Sequence, residues 1–284
     1  APLLNHVVLS EVLPDGSSVR THDVGHAMTT VDGRFRPVNI VDGPDGCLYV
    51  ADWYDADLSH RLNNDGKLDP DSGRVYRIRA RYSEPRRRFP DMARLSTGEL
   101  ADLLNDPNRW TRQTALRLIG DRKDASIAPE LKRRLTEKTG QDALEALWAL
   151  NLVGGLDEAT ALESLDHADP QVRLWTARLV CDDGEASPKL VQKLIDRAAT
   201  EPDVHVRSQL ACSARRLPAK DALAIVARLA ARSEDATDVH VPLLLWWAVE
   251  AKVGSNADAV LELFRDKAFW DAPIVASTIS ERAP

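Results

Sequence analysis

Hydrophobic positions along this chain change their period once. Up to about residue 80 they follow the two-residue rhythm of strands, and beyond about residue 95 the longer rhythm of amphipathic helices. His6 to Leu13 alternates toward Pro14-Asp15-Gly16-Ser17, a turn sequence, and Val19 to Val24 resumes beyond it, which predicts a hairpin. Phe35 to Val41 reads as a strand, Gly43-Pro44-Asp45-Gly46 as a turn, and Cys47 to Ala51 as a short buried strand. Gly73 leads into a further strand, Arg74 to Arg79, in which Val75 and Ile78 flank Tyr76. Together these predict one antiparallel four-stranded unit with parts of a neighbouring one. Such a piece leaves open edges and an apolar face, including Val38, Ile40, Leu48 and Val50. The first helices should cover part of that face, and another chain or further strands the rest.

Residues 81–94, with Pro85, Pro90 and many charges, read as a linker. Helices begin at Ser96, where Glu99 completes a capping-box spacing and Leu100, Leu103 and Leu104 make an apolar face. Further helices are predicted from Trp110 to Ile119 (ended by Gly120), Ile127 to Leu135, Gln141 to Leu152 (stopped by Gly154-Gly155) and Leu156 to Leu165. Later ones fall at 170–181, 188–199, 203–216, 219–232, 239–253, 256–267 and 272–282, with Pro188, Pro218 and Pro273 near first turns. Their starts repeat. Thr111-Arg112, Leu144-Glu145, Val172-Arg173, Val206-Arg207 and Val241-Pro242 stand 28 to 35 residues apart, and a sixth start fits at Ile274. In two copies the frame is Asp-x-x-Val-Arg-x-x-x-Ala: Asp169, Val172, Arg173 and Ala177, then Asp203, Val206, Arg207 and Ala211. A period of this length marks a helical solenoid, in which each helix pair buries its face on the next. Ala149, Ala177 and Ala211 should lie buried at matching places. Asp169 and Asp203 should cap their helices, with Arg173 and Arg207 reaching the matching Asp of an adjacent repeat. Trp148, Trp175, Trp246, Trp247 and Trp270 read as core, with Trp246 or Trp247 as the exposed exception. The fold class is therefore α+β in separate domains: an antiparallel β segment over 1–80, a linker over 81–94 and an α-solenoid over 95–284.

Composition narrows the function. A net charge of −7 argues against a nucleic-acid partner, and Arg86-Arg87-Arg88 reads as a solvated linker between prolines. Cys47, Cys181 and Cys212 are far apart and lie in apolar stretches, so they read as small core residues rather than a disulfide framework. The longest strongly apolar run, Val241 to Val249, is about half of what a membrane-spanning helix needs. The chain opens on Ala1-Pro2 and enters a strand at once, as a processed or excised piece of a longer protein would.

One stretch has a recognisable likeness. Phe35-Arg36-Pro37-Val38-Asn39-Ile40, then Gly43-Pro44-Asp45-Gly46-Cys47-Leu48-Tyr49-Val50-Ala51-Asp52-Trp53-Tyr54, with His60 and Gly73-Arg74-Val75-Tyr76-Arg77-Ile78, resembles a blade of the membrane-bound dehydrogenase-like proteins abundant in planctomycetes and verrucomicrobia. Asn108-Arg109-Trp110-Thr111-Arg112-Gln113, Ala146-Leu147-Trp148-Ala149-Leu150-Asn151 and Pro242-Leu243-Leu244-Leu245-Trp246-Trp247 extend the resemblance over nearly the whole chain. It implies the last blade of a sugar-dehydrogenase-like β-propeller followed by HEAT-type repeats, often with a c-type haem module beyond. Pyrroloquinoline quinone or haem c would serve the full-length family, in a periplasmic or otherwise extracytoplasmic place. This sequence lacks the Cys-x-x-Cys-His of the haem module and most of a propeller.

The same resemblance puts His26, Arg36, Asp52, Tyr54, Asp55 and His60 near one mouth of the propeller channel. A His and an Arg beside carboxylates could hold an anionic cofactor or a sugar there. The competing reading pairs Arg36 with Asp52 inside the blade and packs Trp53 and Tyr54 on its loop. Asn63-Asn64-Asp65-Gly66-x-x-Asp69 reads as a polar turn, because a calcium loop would put Arg61 where a carboxylate is needed. His22 and His26 sit in a strand-to-loop region rather than on a helix, against a zinc pair. No nucleophile elbow, phosphate loop or dinucleotide fingerprint is present. The expectation is a non-catalytic HEAT-repeat scaffold region of a larger dehydrogenase-like protein, held against missing propeller blades or another protein chain. The alternative is part of a quinone- or haem-linked sugar or alcohol dehydrogenase whose active site lies in those blades. No cofactor is expected on this chain itself, and neither nucleic acid nor a membrane span.

Overall fold

The computed structural model describes residues 5–55, 71–79 and 91–279. His60, the polar segment around Asn63 to Asp69 and most of the linker lie outside the described residues. The chain divides into two compact units, one of Ala1–Leu13 with Arg20–Leu118, the other of Pro14–Val19 with Ile119–Pro284.

The first unit carries the strands. β1 (His6–Asp15) and β2 (Ser18–Thr29) pair as a hairpin, as the alternating pattern predicts. β3 (Pro37–Asp42), β4 (Leu48–Asp52) and β5 (Arg74–Ile78) form an antiparallel sheet in the order β3-β4-β5. Among the described residues the strands thus make two sheets, not the four-stranded one predicted. The reason lies at Phe35. The chain turns there, with the Phe35 N–H donating to Asp32 O, and the ring leaves the strand for the core at 1 % exposure. Phe35 packs with Val7 of β1 and Val50 of β4, and Met28, Tyr76 and Ile78 close the cluster. The base of the hairpin is thereby bound to the face of the sheet. Val50 is consequently buried, as the short buried strand Cys47 to Ala51 predicts, while Val38 (50 % exposed), Ile40 (45 %) and Leu48 (39 %) remain open.

Helix α1 (Thr97–Asp102) begins with the predicted capping box: the Ser96 hydroxyl accepts from the Glu99 N–H, and the Glu99 carboxylate accepts from the Ser96 N–H at 2.7 Å. Helix α2 (Arg109–Arg122) starts beside the sheet. Asn108 accepts from the Trp110 N–H through its Oδ1 and donates its Nδ2 to Gly43 O at 2.9 Å, tying the β3–β4 turn to the start of α2. Gly120 does not end α2 as predicted. A Cβ there would meet Leu152 at 3.2 Å, so the glycine serves close helix packing.

The second unit is helical: α3 (Ala128–Glu137), α4 (Gly140–Leu152), α5 (Glu158–Ser164), α6 (Pro170–Leu179), α7 (Pro188–Thr200), α8 (Val204–Ala214), α9 (Ala219–Ala230), α10 (Val241–Arg265) and α11 (Lys267–Trp270). Packing follows two rows. α4, α6, α8 and α10 touch in succession, as do α3, α5, α7 and α9, and α3–α4, α5–α6, α7–α8 and α9–α10 pair across. The sequence predicts a break between helices 239–253 and 256–267, and α10 is indeed interrupted there: Asn256, at φ −143 and ψ 46, leaves the helical conformation and kinks it. In the described part of the last predicted helix, 272–282, a π turn forms at Val275–Ile279; residues 280–282 lie outside the described residues. Ala149, Ala177 and Ala211 are fully buried, as the repeat frame requires. The hairpin tip belongs to this unit. Asp238 accepts from the Ser17 N–H (2.7 Å) and hydroxyl (2.5 Å), and from the His240 and Val241 N–H groups (2.9 Å each). Gly16, at φ +57, takes the position a type II′ turn gives to glycine. A Cβ on it would also strike the Asp238 carboxylate at 2.3 Å.

Candidate functional site

Three places concentrate polar groups, and the first is the loop after β4. Asp52, 4 % exposed, accepts from the Arg36 N–H at 2.6 Å and from the Tyr54 N–H at 2.9 Å through one oxygen. Its other oxygen is buried without a hydrogen-bond partner. The Trp53 N–H donates to Arg36 O at 2.9 Å, so Arg36 and Asp52 are held together through backbone groups rather than by their two charges. Tyr54 takes φ +51, a left-handed conformation uncommon outside glycine. Its ring lies 3.5 Å under the Arg74 guanidinium. Asp55 is also buried. Arg36, Asp52 and Tyr54 are thus brought into one network, and Arg74 is the member that sequence reasoning missed. It stands opposite Asp52 in the β4–β5 register, which only the folded sheet defines. His26 sits on β2 with its ring 4.1 Å from that of His6. His60 lies outside the described residues.

The second place is the repeat frame. Asp169 and Asp203 cap α6 and α8, accepting from Gln171 at 2.8 Å and from His205 at 2.9 Å. Arg173 forms a two-point ion pair with Glu201 (3.0 and 2.5 Å), and Arg207 does the same with Asp235 (2.6 Å each). The predicted partners, the capping aspartates themselves, are therefore corrected. In each case the acid lies 28 residues on, and Glu201 stands just ahead of the capping Asp203. Arg173 and Arg207 each also give Nη1 to the carbonyls five and six residues earlier, and Arg112 does likewise with Asp106 and Pro107. Burial alone would raise the Glu201 carboxyl, but the hydrogen bonds from Arg173 and Arg197 outweigh it and hold the pKa below its ordinary value. The hydrogen-bonded Asp235 carboxylate raises the Arg207 pKa against its desolvation. Arg173 and Arg207 each spend four hydrogen bonds on their paired acid and on the turn before their helix. They are fixtures of the helix starts.

The third place is a groove of about 550 Å³ in the first unit, lined by Ile40, Val41, Asp42 and Leu48 and by Arg109, Trp110 and Gln113 of α2. It was not legible in the sequence beyond the expectation that early helices cover part of the sheet. Among the described residues no group of three or more His, Cys, Asp or Glu is placed to hold a metal ion, and no helix is long and apolar enough to cross a membrane. Trp246 is buried, whereas Trp247 (42 %) and Trp270 (49 %) are exposed. Cys47 and Cys181 are core residues, but Cys212 is exposed, against expectation.

Residues 2–82 match a family described as a domain of unknown function, DUF7133. No curated protein matches the chain.

Proposed function

We propose that this chain is a HEAT-type scaffold region of a larger, extracytoplasmic dehydrogenase-like protein, in which an α-solenoid follows a propeller-blade-like sheet and neither performs chemistry. The observation that carries the reading is the recurring arginine fixture: Arg112, Arg173 and Arg207 hold the turn before their own helices with the same donor and the same carbonyl offsets. A unit repeated in this way builds an extended surface rather than a single catalytic pocket. The two rows of helices, each touching the next, support the solenoid. The buried, inward-facing use of the frame charges supports a structural role for them. The blade-like sheet would seat the solenoid against the catalytic part of the larger protein.

The test is made on the native protein, tagged at its own locus. Cell fractionation and cross-linking mass spectrometry should find it outside the cytoplasm, with cross-links from exposed lysines of the helical rows to sequence outside these 284 residues. Quinone-dependent dye reduction with sugars or alcohols by the purified 284-residue chain would overturn the scaffold reading.

A further inference from the structure

We propose that β3 is the seam of a two-fold dimer, in which a second copy of this chain pairs antiparallel with it about Val41. Among the described residues β3 is an edge strand, and the direction of its backbone groups can be counted. The Gly43 N–H donates to Cys47 O at 2.8 Å, which makes that a bonded pair. In an antiparallel ladder bonded and unbonded pairs alternate. Through the register Asp42↔Leu48, Val41↔Tyr49, Ile40↔Val50, the N–H and C=O groups of Ile40 and Asp42 therefore point away from β4. The Ile40 N–H agrees: it is held at 2.8 Å by the neighbouring Asn39 side chain rather than by β4. The first half of the strand is protected, by Pro37 and by an irregular register between Pro37 and Asn39. The open half coincides with the groove.

A two-fold axis at Val41 sets Ile40 of each copy opposite the partner's Asp42, so that these residues exchange N–H and C=O groups. The charges argue for a second copy rather than another strand. Asp42 and Arg109 both line the groove, and neither has an ion pair among the described residues. Asp42 of one copy arrives opposite the partner's Ile40, at the mouth of the groove whose rim carries the partner's Arg109. The axis repeats that contact in the other direction. A patch bearing both members of a charge pair beside an antiparallel edge is self-complementary, as a two-fold interface must be. Val41, 52 % exposed, is covered by the partner's Val41, and Ile40 by the partner's strand.

Sedimentation velocity on the purified chain should show mass rising with concentration from 31.4 kDa toward twice that value. Ile40→Lys and Arg109→Asp should each hold it at the monomer mass, and Arg109→Asp with Asp42→Arg should restore the dimer. The axis has its own test. Two Val41 residues form an unbonded pair with Cα atoms about 4.5 Å apart, within disulfide reach. In a Cys212→Ser background, Val41→Cys should therefore cross-link under mild oxidation while Val38→Cys does not. A chain that stays monomeric at all concentrations overturns the proposal. So does a dimer indifferent to Ile40→Lys, or cross-linking at residue 38 in preference to 41.

Discussion

Asp238 shows how one carboxylate can hold two pieces of chain. It caps the start of α10 through His240 and Val241, and it clasps the hairpin tip through both hydrogen-bonding groups of Ser17. Burial alone would raise its pKa; the hydrogen bonds from Ser17, Val241 and His240 outweigh that and bring it down to about 2. The sign follows. A carboxyl depressed in the folded state contributes stability above its unfolded value near 3.8, and that contribution is lost as pH falls through about 2. Asp238→Asn should therefore cost about 1–2 kcal/mol at neutral pH, allowing for solvent at this partly buried site, and the gap from wild type should close between pH 4 and pH 2. Urea denaturation of both proteins across that range measures it. A gap that stays constant would show the charge is not what matters. Arg207 is the opposite case, a buried cation answered by a buried anion. Arg207→Ala strands Asp235 at 2 % exposure and frees two carbonyls, so it should cost about 3–5 kcal/mol. Arg207→Met with Asp235→Leu, which removes both charges, should recover much of that loss in the same denaturation experiment.

At the scale of elements, small residues set how closely the helices approach. Ala177 has no exposed surface, and its carbonyl accepts from the Ser213 hydroxyl of α8 at 2.9 Å. Ala177→Leu should overpack the α6–α8 contact and cost about 1–3 kcal/mol, read as a lower urea midpoint. Unchanged stability would mean this contact is looser than the repeat frame implies. The alanine, the capping box at Ser96 and the helix starts at Asp169 and Asp203 were all legible, because caps and periods are local chemistry. Gly120 was not. Its role depends on Leu152, a residue on another helix, and no local rule separates a packing glycine from a stop. The same holds for Phe35, which reads as a strand residue but turns into the core to meet Val7 and Val50. The acids Glu201 and Asp235 escaped notice for a related reason. The frame pointed to the capping aspartates, whereas the fork of each arginine reaches an acid ahead of the next helix start. At the β4 loop, Arg36, Asp52 and Tyr54 were found as candidates. The backbone wiring that joins them, and Arg74 over the Tyr54 ring, belong to a register that only the folded sheet defines.

The whole molecule is divided differently from its sequence pattern. Strand periodicity ends near residue 80, yet residues 91–118 belong to the same compact unit as the strands. Asn108 holding Gly43 O at 2.9 Å is the clearest bond of that attachment, and Trp110 lines the groove beside Ile40 and Leu48. Ile40 and Leu48 stay part-open at 45 % and 39 % exposure, so each gains from Trp110 only a fraction of the roughly 1.5–3 kcal/mol that full burial brings, and the sheet would forfeit that fraction if it came away. A cut between Arg86 and Arg88 should therefore leave two pieces that travel together. Size-exclusion chromatography of the nicked protein should give one peak, and the strand piece should be released only as denaturant rises. Asn108→Ala with Trp110→Ala should lower the denaturant concentration at which release begins. If the nicked protein instead yields a soluble, folded, monomeric strand fragment in buffer alone, the early helices are not what covers the sheet, and its open face must already be satisfied within the strands themselves.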